Sequence, residues 1–526
     1  MYWHNLWEIF WIVFALEGSI FVHEFGHYWA AKRCGLWVPC FSVGFGPKLF
    51  SWRANGTRFQ VALIPLGGYV TLPQMGDMEA IEGVWNPPPG TAERVPTFLG
   101  KIEILAAGAG CNLLFALFIA CVLWLVGIPT PKSDRTTTIG AIPQTIAYST
   151  DTVPNPLTTS ELRVGDRILS VDGIALQQFS QLPQLIAMGT RHMDDGQPAA
   201  DLQICRENGV FRLTIPVFPP LKKENRPRHV AVFPASDLLV GTVLENSPAQ
   251  RVGLLSGDQI LAVGGRELLS PMALDEYLQG VDGGTDLTIC RDGKILQIDI
   301  RPQPLTIQKA HMRGVRKGHT VIFVEGEKSQ WLALNGPKGI KNRQFSPDEL
   351  LVNFTSLEHI PPVTHRVLGI IFAHPQIVER PNPFKLLLSD MRAVWRMLCS
   401  LFNRHSDVGA QNLTGIFGMG RLLHHFIQSD LRLALAFIVN LNVGLAVLNL
   451  LPIPGLDGGL IFFTFVEKAI RQPLPKWFAN FARSLCIFLL SLLLIYVCIF
   501  DILRWRRAAS QSCLDALYPS PKFENY

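Results

Sequence analysis

Charged side chains are scarce in this chain. Asp, Glu, Lys and Arg make up 17% of its 526 residues, whereas they form about a quarter of an ordinary soluble domain. Hydrophobic residues reach 48% and are concentrated in long runs. The net charge of +5 is modest, and nothing in the sequence indicates a nucleic-acid partner. The composition therefore favours a membrane protein that contacts the lipid bilayer.

Two other absences exclude further classes of segment and site. None of the ten cysteines belongs to a CxxC pair, which argues against a zinc ribbon or a thioredoxin-like redox motif. Residues 1–8 contain no Lys or Arg, so the first apolar run lacks the basic region of a cleavable signal peptide. We therefore expect this run to remain in the protein as a membrane helix.

Four apolar stretches are near or above the ~20 residues that cross a bilayer as a helix. They are residues 6–31, 102–128, 433–451 and 477–503. The third stretch has the weakest pattern, because Asn440, Asn442 and Asn449 interrupt it. The expected fold class is an α-helical polytopic membrane protein with about four transmembrane helices.

The distribution of basic residues predicts the orientation of these helices. No basic residue precedes the first span, whereas seven lie between the first two spans: Lys32, Arg33, Lys48, Arg53, Arg58, Arg94 and Lys101. By the positive-inside rule, the N-terminus is outside and the 32–101 loop is cytoplasmic. Four spans also place the C-terminus outside, which conflicts with the arginines at 504, 506 and 507.

The region from 136 to 303 contains an internal repeat. "VGDRILSVDG" (164–173) matches "SGDQILAVGG" (256–265), and "DLQICRENG" (201–209) matches "DLTICRDGK" (286–294). Each GDxIL segment reads as a turn that enters a short strand, and Asp172-Gly173 and Gly264-Gly265 then provide positive-φ turn positions. Both copies resemble PDZ domains, which bind peptide ends by strand addition. The alternative is that one or both copies are spacers or gates that bind no peptide.

The repeat and the apolar runs together predict the domain boundaries. A tandem pair of PDZ-like α+β domains is inserted between the second and third spans. Residues 384–402 have helical spacing with interleaved charges, which indicates either a membrane-surface helix or an amphipathic helix packed on its neighbours. Residues 304–383 are either an additional β layer or a partly ordered insertion. The predicted divisions are 1–130, 136–220, 225–303, 304–430 and 431–526.

The first span contains "FVHEFGHYWAAKRCG" (21–35), a run that is apolar except for its ionisable groups. In an HExxH helix the two imidazoles, His23 and His27, lie one turn apart on the same face and can bind one Zn²⁺. Glu24 can act as general base toward a metal-bound water. Unpaired His and Glu side chains are unfavourable in hydrocarbon, and metal binding accounts for all three together.

A catalytic zinc site normally has three protein ligands and leaves the fourth position for water. "NLLPIPGLDGG" (449–459) supplies a candidate third ligand, Asp457, just past the third span. The first and third spans cross the bilayer in the same direction, and each motif lies toward the C-terminal end of its span. We therefore expect His23, His27 and Asp457 at similar depth on the cytoplasmic side.

These motifs resemble the site-2 protease family of intramembrane zinc metalloproteases. The resemblance is based on HEFGH in a first span, NxxPxPxLDGG after a third, and PDZ-like repeats between the second and third. It implies a bacterial inner-membrane zinc endopeptidase that cuts single-pass transmembrane substrates already shortened by another protease. It further implies that His23, His27 and Asp457 bind zinc and that Glu24 is the base.

The resemblance also suggests residues that contact substrate. Asn449, Pro452 and Pro454 match a family segment that engages substrate near the metal. Residues 41–70 predict a β-hairpin around an Asn55-Gly56 turn, which either holds an unwound substrate by strand addition or plugs the site. In "GAGCN" (108–112), Asn112 either polarises the scissile carbonyl or bonds a neighbouring helix.

Other functions remain possible from the sequence alone. A catalytically silent membrane scaffold could hold partners through its PDZ-like pair, but it would not need both HExxH and LDGG. Zinc transport would require further intramembrane His or Asp ligands, of which the sequence has few. Two substrates are consistent with these residues: an anti-sigma factor and remnant signal peptides.

Overall fold

The computed structural model describes the backbone of most of the chain: residues 2–75, 96–148, 151–219, 227–308, 311–316, 319–325, 331–334, 344–345, 356–360, 363–403 and 406–517. Side chains are described for these residues except 2–12, 65–66, 146–148, 151–152, 305–364, 476 and 506–517.

Ten α-helices occur in the described part of the chain. They are α1 (Tyr2–Arg33), α2 (Phe98–Val126), α3 (Gln181–Met188), α4 (Pro248–Arg251), α5 (Pro271–Gln279), α6 (Pro383–Phe402), α7 (Ile416–Ser429), α8 (Leu431–Asn449), α9 (Asp457–Ile470) and α10 (Lys476–Leu517).

The described strands, in chain order, are β1 (Cys40–Ala54), β2 (Thr57–Val70), β3 (Ile128–Pro131), β4 (Ile139–Ala141), β5 (Thr145–Tyr148), β6 (Asp151–Pro154), β7 (Arg167–Val171), β8 (Ile174–Ala175), β9 (Ala199–Arg206), β10 (Gly209–Pro216), β11 (Phe233–Pro234), β12 (Leu238–Val243), β13 (Gln259–Val263), β14 (Arg266–Glu267), β15 (Thr285–Arg291), β16 (Lys294–Ile300), β17 (Gln303–Gln308), β18 (His311–Arg316), β19 (His319–Glu325), β20 (Trp331–Leu334), β21 (Gln344–Phe345), β22 (Ser356–Ile360), β23 (Val363–Val367), β24 (Ile370–Phe372) and β25 (Gln376–Glu379).

The chain divides into two compact units. The first comprises Met1–Thr130, Val378–Asn403 and Leu413–Ile499. The second comprises Pro131–Ile377, Arg404–Asn412 and Phe500–Tyr526. Each unit is therefore assembled from segments that are distant in sequence.

Three helices with described side chains are long and apolar enough to cross a membrane. They are Phe98–Val126, Leu431–Asn449 and Trp477–Trp505, with mean hydropathy of 2.4, 2.0 and 2.8 over their most apolar windows. They correspond to the second, third and fourth predicted spans. The first predicted span lies within α1, but the side chains of residues 1–12 are outside the described part, so the expected count of four stays a prediction.

Helices α1 and α2 approach closely because small residues line their contact. A Cβ added to Gly26 would lie 2.4 Å from the Ala107 carbonyl oxygen. Ala30, Ala31 and Ile104 are completely buried at the same contact. Small side chains let membrane helices pack through their backbones, and this contact aligns the HExxH turn with the middle of α2.

Strands β1 and β2 form the predicted hairpin, joined at Asn55 and Gly56, which both have positive φ. Its inner half packs on α1 through Phe41 and Val70, and register shifts bend β1 between Phe41 and Phe50. Residues 46–56 of the outer half are exposed. The hairpin fold is confirmed, while its insertion into the membrane stays a prediction.

A second apolar contact joins α2 and α8 through Ala116, Leu123, Val439 and Val443, all completely buried. Helix α6 packs against this cluster through Leu386, Leu387 and Met391. Other large apolar side chains of the same helix, including Phe384, Trp395 and Phe402, remain exposed. One face of α6 therefore packs on its neighbours, which was one of the two expectations for residues 384–402.

In the second unit each repeat copy forms an antiparallel sheet. The strand order is β10-β9-β7-β8 in the first copy and β16-β15-β13-β12-β24 in the second. The expected positive φ angles are present at Asp172-Gly173 (48° and 80°) and Gly264-Gly265 (56° and 71°). Strand β24 adds to the second sheet from residues 370–372, beyond the predicted 225–303 division. The PDZ assignment itself stays a prediction.

An inserted sheet lies within residues 304–383. Its strand order is β21-β20-β19-β18-β22, and the paired strands β17 and β23 precede and follow it in the chain. The described part of this region therefore matches the expectation of an additional β layer.

Candidate active site

The two imidazoles of the HExxH motif face each other across one turn of α1. His23 Nε2 and His27 Nε2 are 3.1 Å apart, as the i, i+4 spacing requires. Both side chains are nearly buried, with 12% and 10% of their surface exposed. Two ring nitrogens therefore converge on one point.

The orientation of His27 is set by α2. Its Nδ1 lies 2.8 Å from the carbonyl oxygen of Ile104, so Nδ1–H donates to that oxygen and Nε2 keeps its lone pair. A metal-binding histidine usually donates its other N–H to a carbonyl or carboxylate, which selects the tautomer. The sequence could not indicate this partner, because it is a main-chain atom of another helix.

Gly108 of α2 provides the space for both rings. A Cβ at this position would lie 2.4 Å from His27 Nε2 and 2.7 Å from His23 Cε1. Any larger residue would therefore overlap the imidazoles. The only sequence signal was the small-residue run "GAGCN", which did not indicate what the space is for.

Asp457 is the first residue of α9. Cβ atoms added to Gly458 and Gly459 would lie 2.3 Å from Leu451 O and 2.2 Å from Ile453 O, so the two glycines allow the first turn of α9 to pack on the preceding loop. A carboxylate is also favoured electrostatically at a helix N-terminus. The LDGG segment thus positions the aspartate by both backbone packing and the helix dipole.

The structure brings the three predicted ligands together. Asp457 Oδ2 lies 3.1 Å from His23 Nε2 and 3.3 Å from His27 Nε2. With the 3.1 Å between the imidazoles, the three atoms form a nearly equilateral triangle. Among the described residues, they are also a group of donors that could hold one metal ion.

A cavity of about 490 Å³ opens beside this triangle. Its lining includes Glu24, Asn112 and Asn449, and Asn449 Nδ2 is 3.4 Å from His23 Nε2. Pro452 and Pro454 are not among the lining residues; they belong to the loop between α8 and α9. Three polar groups of the predicted site therefore share one cavity with the triangle, and the two prolines lie outside it.

Strand β2 forms one wall of the cavity with its last residues, Gly67, Gly68, Tyr69 and Val70. A Cβ at Gly68 would lie 3.0 Å from Glu24 Cγ. The glycine therefore lets the strand pass directly beside the glutamate, which places main-chain atoms of β2 at the site.

Comparison with known proteins extends these observations. Peptidase family M50 matches the chain over residues 11–493. The regulator of sigma E protease of Haemophilus influenzae is 25% identical over 512 residues, which cover 95% of this chain and 99% of the relative. The regulator of sigma-E protease of Escherichia coli K12 is 26% identical, with 93% and 97% covered. A Pasteurella multocida protein named as a zinc metalloprotease is 25% identical, with 95% and 99% covered.

Proposed function

This chain belongs to peptidase family M50 and is a zinc metalloprotease of the membrane, and from that premise we propose that it cuts peptide bonds in the transmembrane helices of other proteins. The observation that carries the proposal is the triangle of donor atoms from His23, His27 and Asp457. It lies in a unit that contains α2 and α8, two helices apolar enough to cross a bilayer. Ionisable groups in such surroundings are energetically costly, and where they occur they are typical of a functional site.

The donor set fits a zinc ion. Ligand atoms about 2.0–2.1 Å from a tetrahedral zinc lie about 3.3 Å from one another, and the three donors are 3.1 to 3.3 Å apart. Two imidazoles and one carboxylate are usual for a catalytic zinc. When bound, the ion acidifies a water molecule and polarises a carbonyl group. We assign His23, His27 and Asp457 as its ligands.

Glu24 acts as the general base in this proposal. Its position directly after His23 puts it on the same turn of α1, and it lines the cavity. It takes a proton from the attacking water and passes it to the nitrogen of the leaving amine. The close passage of Gly68 limits where the Glu24 side chain can move, which favours a fixed position for the carboxylate.

A substrate helix must unwind before it is cut, because its own hydrogen bonds shield each peptide bond. The end of β2, from Gly67 to Val70, lines the cavity and could hold the unwound segment by strand addition. Asn449 lines the same cavity, and Pro452 and Pro454 stiffen the following loop, which turns between Leu451 and Leu456, because their φ angles are restricted. We assign these three residues to substrate binding.

The substrate class is part of the same proposal. We propose single-pass membrane proteins whose outer part has been removed, such as an anti-sigma factor or a remnant signal peptide. In this proposal the enzyme lies in the bacterial inner membrane with the active site toward the cytoplasm and both PDZ-like domains outside. These domains, predicted at 136–220 and 225–303, would bind peptide ends or restrict access.

Replacing the base tests the proposal. Full-length enzyme is reconstituted with a fusion protein that has one transmembrane helix and a short outer tail. Glu24→Gln should retain zinc and lose cleavage, because the amide cannot accept the proton. Glu103→Gln is the matched control, since Glu103 lies on α2 and is about half exposed; it should cleave as wild type. Wild-type activity in Glu24→Gln would overturn the proposed mechanism, and the absence of cleavage by the wild type itself would favour the scaffold alternative.

A further inference from the structure

Two asparagines of the helical unit are completely buried, and they differ in their partners. Asn442 Nδ2 donates to Ser19 Oγ at 3.0 Å and to the Ile438 carbonyl oxygen at 2.8 Å. Asn112 has no hydrogen-bond partner within the described residues, for either Nδ2 or Oδ1. Asn442 therefore links α8 to α1, whereas the contacts of Asn112 assign it no structural role of this kind.

Asn112 lies beside the donor triangle. It is one turn after Gly108 on α2, and residues four apart occupy the same helix face with Cβ atoms about 5–6 Å apart. The Gly108 position is in contact with both imidazoles. Asn112 also lines the same cavity as Glu24 and Asp457, so it belongs to the wall of the space in which a peptide bond would react.

Burial without a partner is unfavourable for an amide, and replacement by an apolar residue of similar size would remove the penalty. The described residues provide no compensating contact. A group of this kind is useful where a ligand completes its hydrogen bonds. In this cavity the ligand with matching groups is the main chain of an unwound substrate.

The cavity also needs a donor that Asn112 can supply. The carboxylates of Glu24 and Asp457 are acceptors, and Nε2 of each imidazole belongs to the triangle. Two side-chain amides line the cavity, those of Asn112 and Asn449. Asn449 Nδ2 lies 3.4 Å from His23 Nε2, whereas Asn112 Nδ2 has no partner within the described residues. An oxyanion needs preorganised N–H or O–H donors about 2.7–3.1 Å away, and the Asn112 amide has two N–H groups.

We propose that Asn112 Nδ2 donates a hydrogen bond to the carbonyl oxygen of the scissile peptide bond. As the water oxygen bonds to the carbonyl carbon, the π-electron pair of the C=O bond moves to the carbonyl oxygen. The Asn112 N–H stabilises the negative charge that forms on this carbonyl oxygen. The pair returns when the C–N bond breaks, and the proton taken by Glu24 goes to the leaving nitrogen. This assignment rests on the proposed function of the site.

The test compares Asn112→Leu with Asn442→Leu in the full-length, zinc-loaded enzyme, using the same single-helix fusion substrate. Leucine is similar in size to asparagine and has no donor. Asn112→Leu should lower kcat by about 10²–10³-fold, with smaller changes in KM and with wild-type zinc content and thermal stability. Asn442→Leu should lower thermal stability while its folded fraction keeps a near wild-type kcat.

Two results would overturn the proposal: a kcat for Asn112→Leu within twofold of wild type, or a loss of activity that only parallels a loss of stability. Asn112→Asp separates charge from size and should be at least as slow as Asn112→Leu, because a carboxylate repels the oxyanion. Glu24→Gln is measured in parallel. If Glu24→Gln is inactive and Asn112→Leu is not, only this inference fails; if Glu24→Gln cleaves normally, the proposed function fails first.

Discussion

Replacing Gly108 by alanine adds one methyl group where α2 contacts the imidazoles. The new Cβ would lie 2.4 Å from His27 Nε2, whereas non-bonded atoms are comfortable at about 3.5–4.0 Å. The ring would therefore have to move by about 1 Å. Moving the two helices apart would not relieve this overlap without cost, because it would also break the close packing of Gly26 of α1 on the Ala107 carbonyl.

A displacement of this size exceeds what a zinc site tolerates, since ligand distances hold within about 0.2 Å. Changes that only disturb the partners of ligands already weaken metal binding about 10–100-fold. We expect Gly108→Ala to lower zinc affinity by at least this factor and to abolish proteolysis. Alanine favours helix by about 1 kcal/mol over glycine, so a loss of function could not be attributed to a weakened helix.

Purified full-length protein would be assayed for zinc content by mass spectrometry and for zinc affinity by competition with a fluorescent chelator. Gly110→Ala is the matched control, because it is the same change on the same helix and its Cβ would have no atom of the described residues within 4 Å. It should bind zinc as wild type. Normal zinc affinity in Gly108→Ala, or an equal loss in Gly110→Ala, would refute the steric argument.

Three further outcomes are expected. Gly459→Ala should also lose zinc, because its Cβ would lie 2.2 Å from the Ile453 carbonyl oxygen and displace the start of α9. Gly444→Ala is the control and should keep zinc, because its Cβ would have no atom of the described residues within 4 Å. Equal zinc contents in the two variants would contradict this prediction. Arg291→Met should lower the free energy of unfolding of the second repeat copy, because it leaves the Asp258 carboxylate without its 2.6 Å partner. Hydrogen exchange in β15 measures this, and unchanged protection would contradict it. Hydrogen bonds from Arg291 hold the pKa of Asp258 below its usual value. The stability that they provide is therefore present above about pH 4 and is lost as the pH falls through the folded-state pKa. The effect of Arg291→Met should shrink below about pH 4, and a pH-independent effect would show that ionisation of Asp258 is not its cause.

Short-range features of the site could be predicted from the sequence because their geometry depends on local spacing. Two histidines four residues apart on a helix must lie on one face, and the structure shows their nitrogens 3.1 Å apart. Asn55-Gly56 and the two repeat turns have the positive φ angles that their residue types favour. The parallel direction of two predicted spans put Asp457 at an expected depth similar to that of the histidines, and the structure shows Asp457 Oδ2 3.1 and 3.3 Å from their Nε2 atoms.

The tertiary structure alone decided which groups support these residues. The Ile104 carbonyl that orients His27 is a main-chain atom, so no side-chain pattern could identify it. Gly108 and Asn112 belong to one small-residue run, yet Gly108 leaves space for two imidazoles, whereas Asn112 is a buried amide with no partner within the described part of the chain. Strand β24 joins the second repeat sheet from beyond an inserted β layer, a pairing that local propensity cannot express. Periodicity encodes what a segment presents on each face, whereas the atoms that meet that face are set by how distant segments pack.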